Sequence, residues 1–289
     1  MEAMAMLVRR ATSTVAAACA LIIATGSLAS AQSNQSLWDK IESSGTLMCG
    51  AMASNPLGSW KIGPDQYAGY EINFCNQVAH DLAASMGKPI AVRYHEITWS
   101  SVVLELQSGR IDLFPSMSVT EQRKQALDMT DPVLMLDECV INRRGVPGHT
   151  EWNQYNVPDM RIATVIGTSD AQAVRDLAPN ATILGFKELA EASLAVQAGR
   201  ADALGTSIIV CLDTAKRAPD AFGDIVVPKP GRPLPSSAGM RRDSDHRFFD
   251  WMNQWVAKTR ASGLNRQLLF DAIRQGGLDP AKLPANIAF

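Results

Sequence analysis

Two stretches of this 289-residue chain echo each other, and the echo limits its architecture more than any other feature. LQSGRIDLFPSMS at 106–118 aligns with VQAGRADALGTSI at 196–208, ninety residues later. Each reads as a helix end, a Gly at its C-terminal cap, an Arg, and an Asp two residues on. A short apolar strand follows and opens into small or hydroxyl residues. Helix–Gly–strand joints are common in α/β proteins, so a chance likeness is one reading. The other is a pair of similar βα lobes, each presenting small polar residues at a strand's carboxyl end, where open α/β sheets bind ligands. Two such edges facing each other would make a cleft.

The rest of the chain supplies the alternation such lobes need. Thr46–Ala51 reads as a strand, and a long loop with Pro56, Gly58, Gly63 and Pro64 follows. In Tyr70–Met86 the residues Cys75, Val78, Ala79, Leu82 and Met86 recur at helical spacing, and Gly87 and Pro89 end the helix. Residues 90–94 predict a strand, 99–108 a helix, 111–114 a second strand, and 161–166 the start of a second series. Near the end, Phe248, Trp251, Met252, Trp255 and Val256 form an apolar helical stripe, read as core.

Residues 1–31 read as a signal peptide. Arg9 and Arg10 precede an apolar or small-residue run, and Ser27-Leu28-Ala29-Ser30-Ala31 offers an A-x-A cleavage site before Gln32. An anchor helix that stays attached is the alternative. Removing the leader moves the net charge from −2 to near −3, which points to neither nucleic acid nor an anionic membrane as partner. Cys49, Cys75, Cys139 and Cys211 remain. Export permits disulfides, yet each cysteine sits in an apolar strand or helix pattern, so buried free thiols are the expectation. Cys49–Cys75 is the pair to test first, because a first strand and a first helix pack directly.

One stretch asks for a ligand. In SMSVTEQRKQALDMTDP, 116–132, small hydroxyl residues lead into a helix that Thr120 can cap, with Glu121 favourable near its amide-rich end. Arg123 is then a cation in the first helical turn, which the helix dipole disfavours unless something negative sits beside it. This segment, with Glu71-Ile72-Asn73, TWSSVVLELQSGRIDL and RIATVIGTSDAQ, resembles the family 3 extracellular solute-binding proteins. These are the polar amino-acid receptors of bacterial ABC importers. The likeness runs from about Ser44 to Phe270.

The resemblance implies a type II periplasmic binding-protein fold: an α/β protein of two lobes, each a mixed sheet flanked by helices, joined by two hinge strands that close on a ligand. Lobe 1 is then discontinuous, 32–140 and 238–289, and lobe 2 spans 141–237. Glu138–Arg143 crosses out of lobe 1, and residues 236–240 cross back. By the same likeness Arg123 pairs with a ligand carboxylate, which its planar fork matches bidentately. Ser116 and Ser118 flank it. Thr168 and Ser169 open a helix whose N–H groups suit the same anion. Trp99 matches a pocket position, and Asn55, with Trp60, lies in the loop that shapes the side-chain pocket. The hydroxyl residues also read as caps and turns, and Trp99 as packing.

One departure concerns the ligand. Where such receptors carry an Asp for the α-ammonium, this chain has Ser207. Burying an ammonium without a carboxylate partner costs several kcal/mol. The expectation is a ligand without an ordinary α-amine, or an ammonium met elsewhere, with Asp170 and Asp213 the carboxylates to check. The implied partners are a small carboxylate ligand and the membrane permease of an ABC importer, with the protein a periplasmic monomer. Neither cofactor nor metal ligand set is read. An exported enzyme resembling cyclohexadienyl dehydratase, or a ligand-sensing receptor component, is the alternative.

Overall fold

The computed structural model describes residues 35–56 and 58–282. The expected leader, 1–31, and the expected cleavage site after Ala31 lie outside the described residues, as do residues 283–289. Among the described residues no helix is long and apolar enough to cross a membrane.

Strand Thr46–Ala51 pairs in parallel with Ala91–Glu96, Cys49 opposite Tyr94. Helix Tyr70–Met86 covers them, burying Tyr70, Phe74, Cys75, Val78 and Leu82 along one face, as the 3.6-residue period requires. Gly87 ends it in the left-handed conformation at φ 67°. The C-terminal helices Arg247–Ser262 and Leu264–Gln275 return to this helix. Phe74 meets Trp255 edge to face with ring centroids 4.8 Å apart. The Tyr70 hydroxyl donates to Asn265 Oδ1 at 2.6 Å.

Further along the chain lies a five-stranded sheet. Its spatial order is Thr182–Phe186, Arg161–Val165, Ala203–Ser207, Glu138–Arg143 and Phe222–Val226. The first three strands are parallel, and Glu138–Arg143 runs antiparallel to both its neighbours. A third sheet is built on the long strand Leu234–Arg241, which pairs with Phe114–Ser118, Leu127–Met129 and Leu134–Leu136.

The echo is a structural repeat. Gly109 and Gly199 follow helices Val102–Gln107 and Leu189–Gln197 at φ 70° and 71°. Nothing lies within 4 Å of a Cβ at either, so the positive φ alone demands glycine. The two aspartates play matching parts. Asp112 accepts the Met48 N–H (3.0 Å) and Lys40 Nζ (2.6 Å). Asp202 accepts the Arg161 N–H (3.1 Å) and its guanidinium (2.7 and 2.9 Å). Each carboxylate thus pins the start of a parallel strand.

Three expectations need correction. The strand read at 111–114 is instead Phe114–Ser118. The Asp112 and Leu113 amides both bond to the Met48 carbonyl, and the chain then swings over to pair with Leu234–Arg241. Ser116 and Ser118 are therefore strand residues two apart, on one face. The helix read at 99–108 begins at Val102, because Thr98 to Ser101 form a turn in which Ser101 Oγ accepts the Thr98 N–H. The cysteines are paired. Cys49–Cys75 joins the first strand to the first helix, and Cys139–Cys211 joins strand Glu138–Arg143 to helix Ile208–Arg217. An apolar pattern reports that a thiol is buried. It does not report that packing brings two of them to Cα separations of 6.6 and 6.5 Å, within disulfide range.

Candidate functional site

The carboxyl-terminal ends of Phe114–Ser118, Arg161–Val165 and Ala203–Ser207 converge on a cavity of about 110 Å³. A space of that size suits a small solute. Asn55, Trp99, Ser116 and Ser118 line one side, and Thr168, Ser169, Asp170, Thr206 and Ser207 line the other. The two sides touch: Ser169 Oγ lies 2.8 Å from Ser118 Oγ.

Gly167 makes that approach possible. Its φ is 80°, and a Cβ there would stand 2.9 Å from the Trp99 backbone carbonyl. Trp99 packs edge to face on Phe114, with centroids 5.6 Å apart, and its ring lies 5.7 Å from Arg123 Cζ.

Arg123 begins where the sequence places it. Thr120 caps helix Glu121–Ala126 by accepting the Arg123 N–H at 3.2 Å. The side chain turns inward, 6 % exposed. Its Nη1 donates to the Ser118 carbonyl (2.8 Å) and its Nη2 to the Gly167 carbonyl (3.2 Å), so one guanidinium bridges both sides. Burial pulls its pKa down to about 10, opposed by the charge of Asp170, and it remains a cation at neutral pH. Arg123 lies behind the cavity wall, whereas the other expected site residues, Asn55, Trp99, Ser116, Ser118, Thr168, Ser169 and Ser207, all line it.

Thr168 serves as the cap of helix Ser169–Leu177, its hydroxyl accepting the Ala171 N–H (3.0 Å) and donating to the Val165 carbonyl (2.7 Å). Its capping reading is therefore realised. Asp213 is buried against Arg217 of its own helix and is not among the cavity-lining residues.

Two carboxyls, Glu71 and Glu138, escaped the sequence reading as site components, while Asp170, one of the two carboxylates to check, lines the cavity. Glu71 is fully buried and accepts from Ser59 Oγ (2.5 Å), Ser116 Oγ (2.8 Å) and Asn55 Nδ2 (3.0 Å). Burial raises it to about 7, against the pull of those hydrogen bonds. It fixes the rotamers of two cavity residues. Asp170 accepts from Thr206 Oγ1 (3.0 Å) and the Ser207 N–H, and burial raises its pKa as well. Glu138, opposite Ser207 in the sheet, is pushed up to about 10 by burial and by Asp170 beside it. Of the two that escaped, Glu138 left a signal in the sequence, a charge heading the apolar strand ECVINR. Glu71 sits in a first helical turn, where an acid reads as a partner of the helix dipole.

The family model of the bacterial extracellular solute-binding proteins, family 3, matches residues 47–269. The ABC transporter glutamine-binding protein of Bacillus subtilis (strain 168) is 29% identical over 139 residues, which are 48% of this chain and 49% of that relative. The match therefore spans about half the length of that relative. A glutamine-binding protein of Geobacillus stearothermophilus is 26% identical over 188 residues, 63% of this chain and 68% of the relative. Among solved structures, an ancestral amino acid-binding protein described as a precursor of cyclohexadienyl dehydratase superposes with a TM-score of 0.71 at 26% identity, covering 82% of this chain and 99% of that one. The cysteine-binding protein of Campylobacter jejuni reaches 0.75 at 17% identity, over 88% and 99% of the two chains, a likeness of fold alone.

Proposed function

Since the chain belongs to the family 3 bacterial extracellular solute-binding proteins, with their type II periplasmic binding-protein fold, we propose that it captures a small carboxylate-bearing ligand between two lobes and delivers it to an ABC importer. The ligand is an amino acid or an amino-acid-like acid. The lobes are 32–140 with 238–289, and 141–237. The protein is exported, cleaved after Ala31, and works in the periplasm as a monomer.

The observation that carries this reading is a cavity shared by two strand-end edges that meet through Ser118, Ser169 and Arg123. A ligand touching both edges favours the closed arrangement by its differential affinity for it. Arg123 commits donors to two carbonyls and has five in all. The remaining N–H groups suit a carboxylate, which reaches them where Ser118 and Trp99 give way. Ser116 and Ser118 offer hydroxyls, Ser169 and the helix it opens offer N–H groups, and Asn55 and Ser207 bound the side-chain end.

The test is a thermal-shift screen of the purified protein against amino acids, dicarboxylates, keto acids and aromatic acids. At a hundredfold excess over Kd a ligand adds about 2.7 kcal/mol. Stabilisation by no carboxylate-bearing compound would overturn the reading.

One observation favours a second reading, an enzyme on this fold. A carboxyl that lines the cavity and is raised by burial, as Asp170 is, suits general acid chemistry. Turnover of prephenate or arogenate by the pure protein would establish it. The relatives' names are those of binding proteins, which supports a receptor.

A further inference from the structure

We infer, resting on the function above, that one end of the cavity is an apolar compartment walled by Leu134, Leu136, Ile209, Val210 and Leu269, and that it selects a small carboxylic acid with an aliphatic side chain. All five residues line the cavity. They come from strand Leu134–Leu136, the first turn of helix Ile208–Arg217, and helix Leu264–Gln275. Leu136 and Val210 are only partly buried. Their apolar surface faces the cavity, and a ligand's apolar group that covers it is stabilised by leaving water.

Register places this end. In the sheet built on Leu234–Arg241, Ser236 stands opposite Ser118 on one side and opposite Leu134 on the other. Directly paired residues share a face, so polarity along this wall falls from Ser118 through Ser236 to Leu134. Two strand spacings come to roughly 10 Å, which separates the hydroxyl end from the apolar one. Leu136, two residues on from Leu134, shares its face. The opposite wall has the same order. In the five-stranded sheet Thr182–Phe186 leads to Lys187 and Glu188, Arg161–Val165 to Thr168, Ser169 and Asp170, and Ala203–Ser207 to Ile209 and Val210. The next strand, Glu138–Arg143, is entered from Leu136. Charged lining residues thus follow the first two strands, and aliphatic ones stand at the third and fourth.

Polar groups beside the compartment are already paired. The Tyr70 hydroxyl donates to Asn265 Oδ1 at 2.6 Å, and the Asn265 amide donates to the Val133 carbonyl. An amide, carboxylate or ammonium on the ligand's side chain would be buried here without a partner, at a cost that no aliphatic group bears. Leu134, Leu136 and Leu269 belong to one proposed lobe, and Ile209 and Val210 to the other. The side chain, like the carboxylate, is therefore held from both sides, and it favours the closed arrangement by the surface it buries there.

The experiment is calorimetry on the purified protein with L-alanine, L-2-aminobutyrate, L-norvaline and L-norleucine. A parallel series runs from propanoate to hexanoate, so that the outcome does not depend on an α-amine. In the series that binds, each added methylene should tighten binding about fourfold until the compartment is full. L-Leucine should bind on the order of 10-fold more tightly than L-asparagine, which has nearly the same shape, and 4-methylpentanoate likewise than succinamate. Val210→Thr, which keeps the side chain's shape and adds a hydroxyl, should narrow that ratio. Leu136→Ala should shift the preferred chain to a longer one. A flat chain-length series overturns the compartment and leaves the proposed function standing. So does binding of L-asparagine, L-glutamine or L-arginine as tight as that of the best aliphatic acid, and so does Val210→Thr keeping the wild-type ratio. Binding of no carboxylate-bearing compound defeats the proposed function and this inference with it. Should either variant fail to fold, the wild-type series decides.

Discussion

The hydroxyls of Ser118 and Ser169 lie 2.8 Å apart, although 51 residues of chain separate them. One ends the strand Phe114–Ser118 and the other opens the helix Ser169–Leu177. Ser118 closes the first half of the internal repeat, whereas Ser169 lies outside the second half and follows the strand Arg161–Val165, which pairs with that half's strand Ala203–Ser207. Around the contact, Arg123 and Gly167 share a hydrogen bond, and the Trp99 backbone closes over Gly167. The site is thus built at a seam, and changes along the seam should alter binding more than they alter the fold of either side.

Gly167→Ala tests the seam directly. A left-handed backbone costs a non-glycine residue about 1–2 kcal/mol, and the new methyl would also press on the Trp99 carbonyl. Urea denaturation should show a loss of about that size. Ligand affinity should fall further, because the methyl obstructs the approach of the two sides. Unchanged affinity would mean that binding does not need this contact.

Arg123→Ala should abolish the melting shift caused by any ligand that depends on a carboxylate. The variant also leaves the Ser118 and Gly167 carbonyls without their guanidinium donor, so it should melt lower than the wild type without ligand. A full ligand-induced shift in this variant would remove Arg123 from the site.

Glu71 makes stability depend on pH in a stated direction. Its folded pKa of about 7 lies above the ordinary 4.5. Between those values the native state keeps a proton that the unfolded chain gives up, so stability falls as pH rises through the window and stays low above it. The shift corresponds to roughly 3 kcal/mol. Glu71→Gln removes the titration. Denaturation at pH 4.5 and pH 8 should therefore show the variant gaining on the wild type by roughly that amount at the higher pH. The same gap at both pH values would show that Glu71 does not hold a proton across this window.

Thiol titration of the unfolded, unreduced protein should find no free sulfhydryl from Cys49, Cys75, Cys139 or Cys211. Replacing Cys49 and Cys75 together by Ser should cost about 2–4 kcal/mol, since the bridge restricts the unfolded chain. Two or more reactive thiols from these positions would contradict the pairing.

Much of this protein is written in local chemistry. Glycine at a left-handed joint, an N-capping threonine and 3.6-residue spacing are short-range facts. For that reason the Tyr70–Met86 helix, the Thr120 and Thr168 caps and the repeat around Gly109 and Gly199 were readable directly from the chain. The hydroxyls at 116, 118, 168, 169 and 207 were readable too, because they stand at the ends of those elements. Tertiary structure decided the rest. Whether two buried cysteines face each other, whether Arg123 lines the cavity or stands behind it, and which of Asp170 and Asp213 lies at the cavity all depend on what lies across a boundary. Periodicity shows which side chains go inside, but their partners come from elements far away in the chain. The charge states of Glu71, Glu138 and Asp170 follow the same rule, since burial and neighbouring charge set them and both are made only when the separate elements pack.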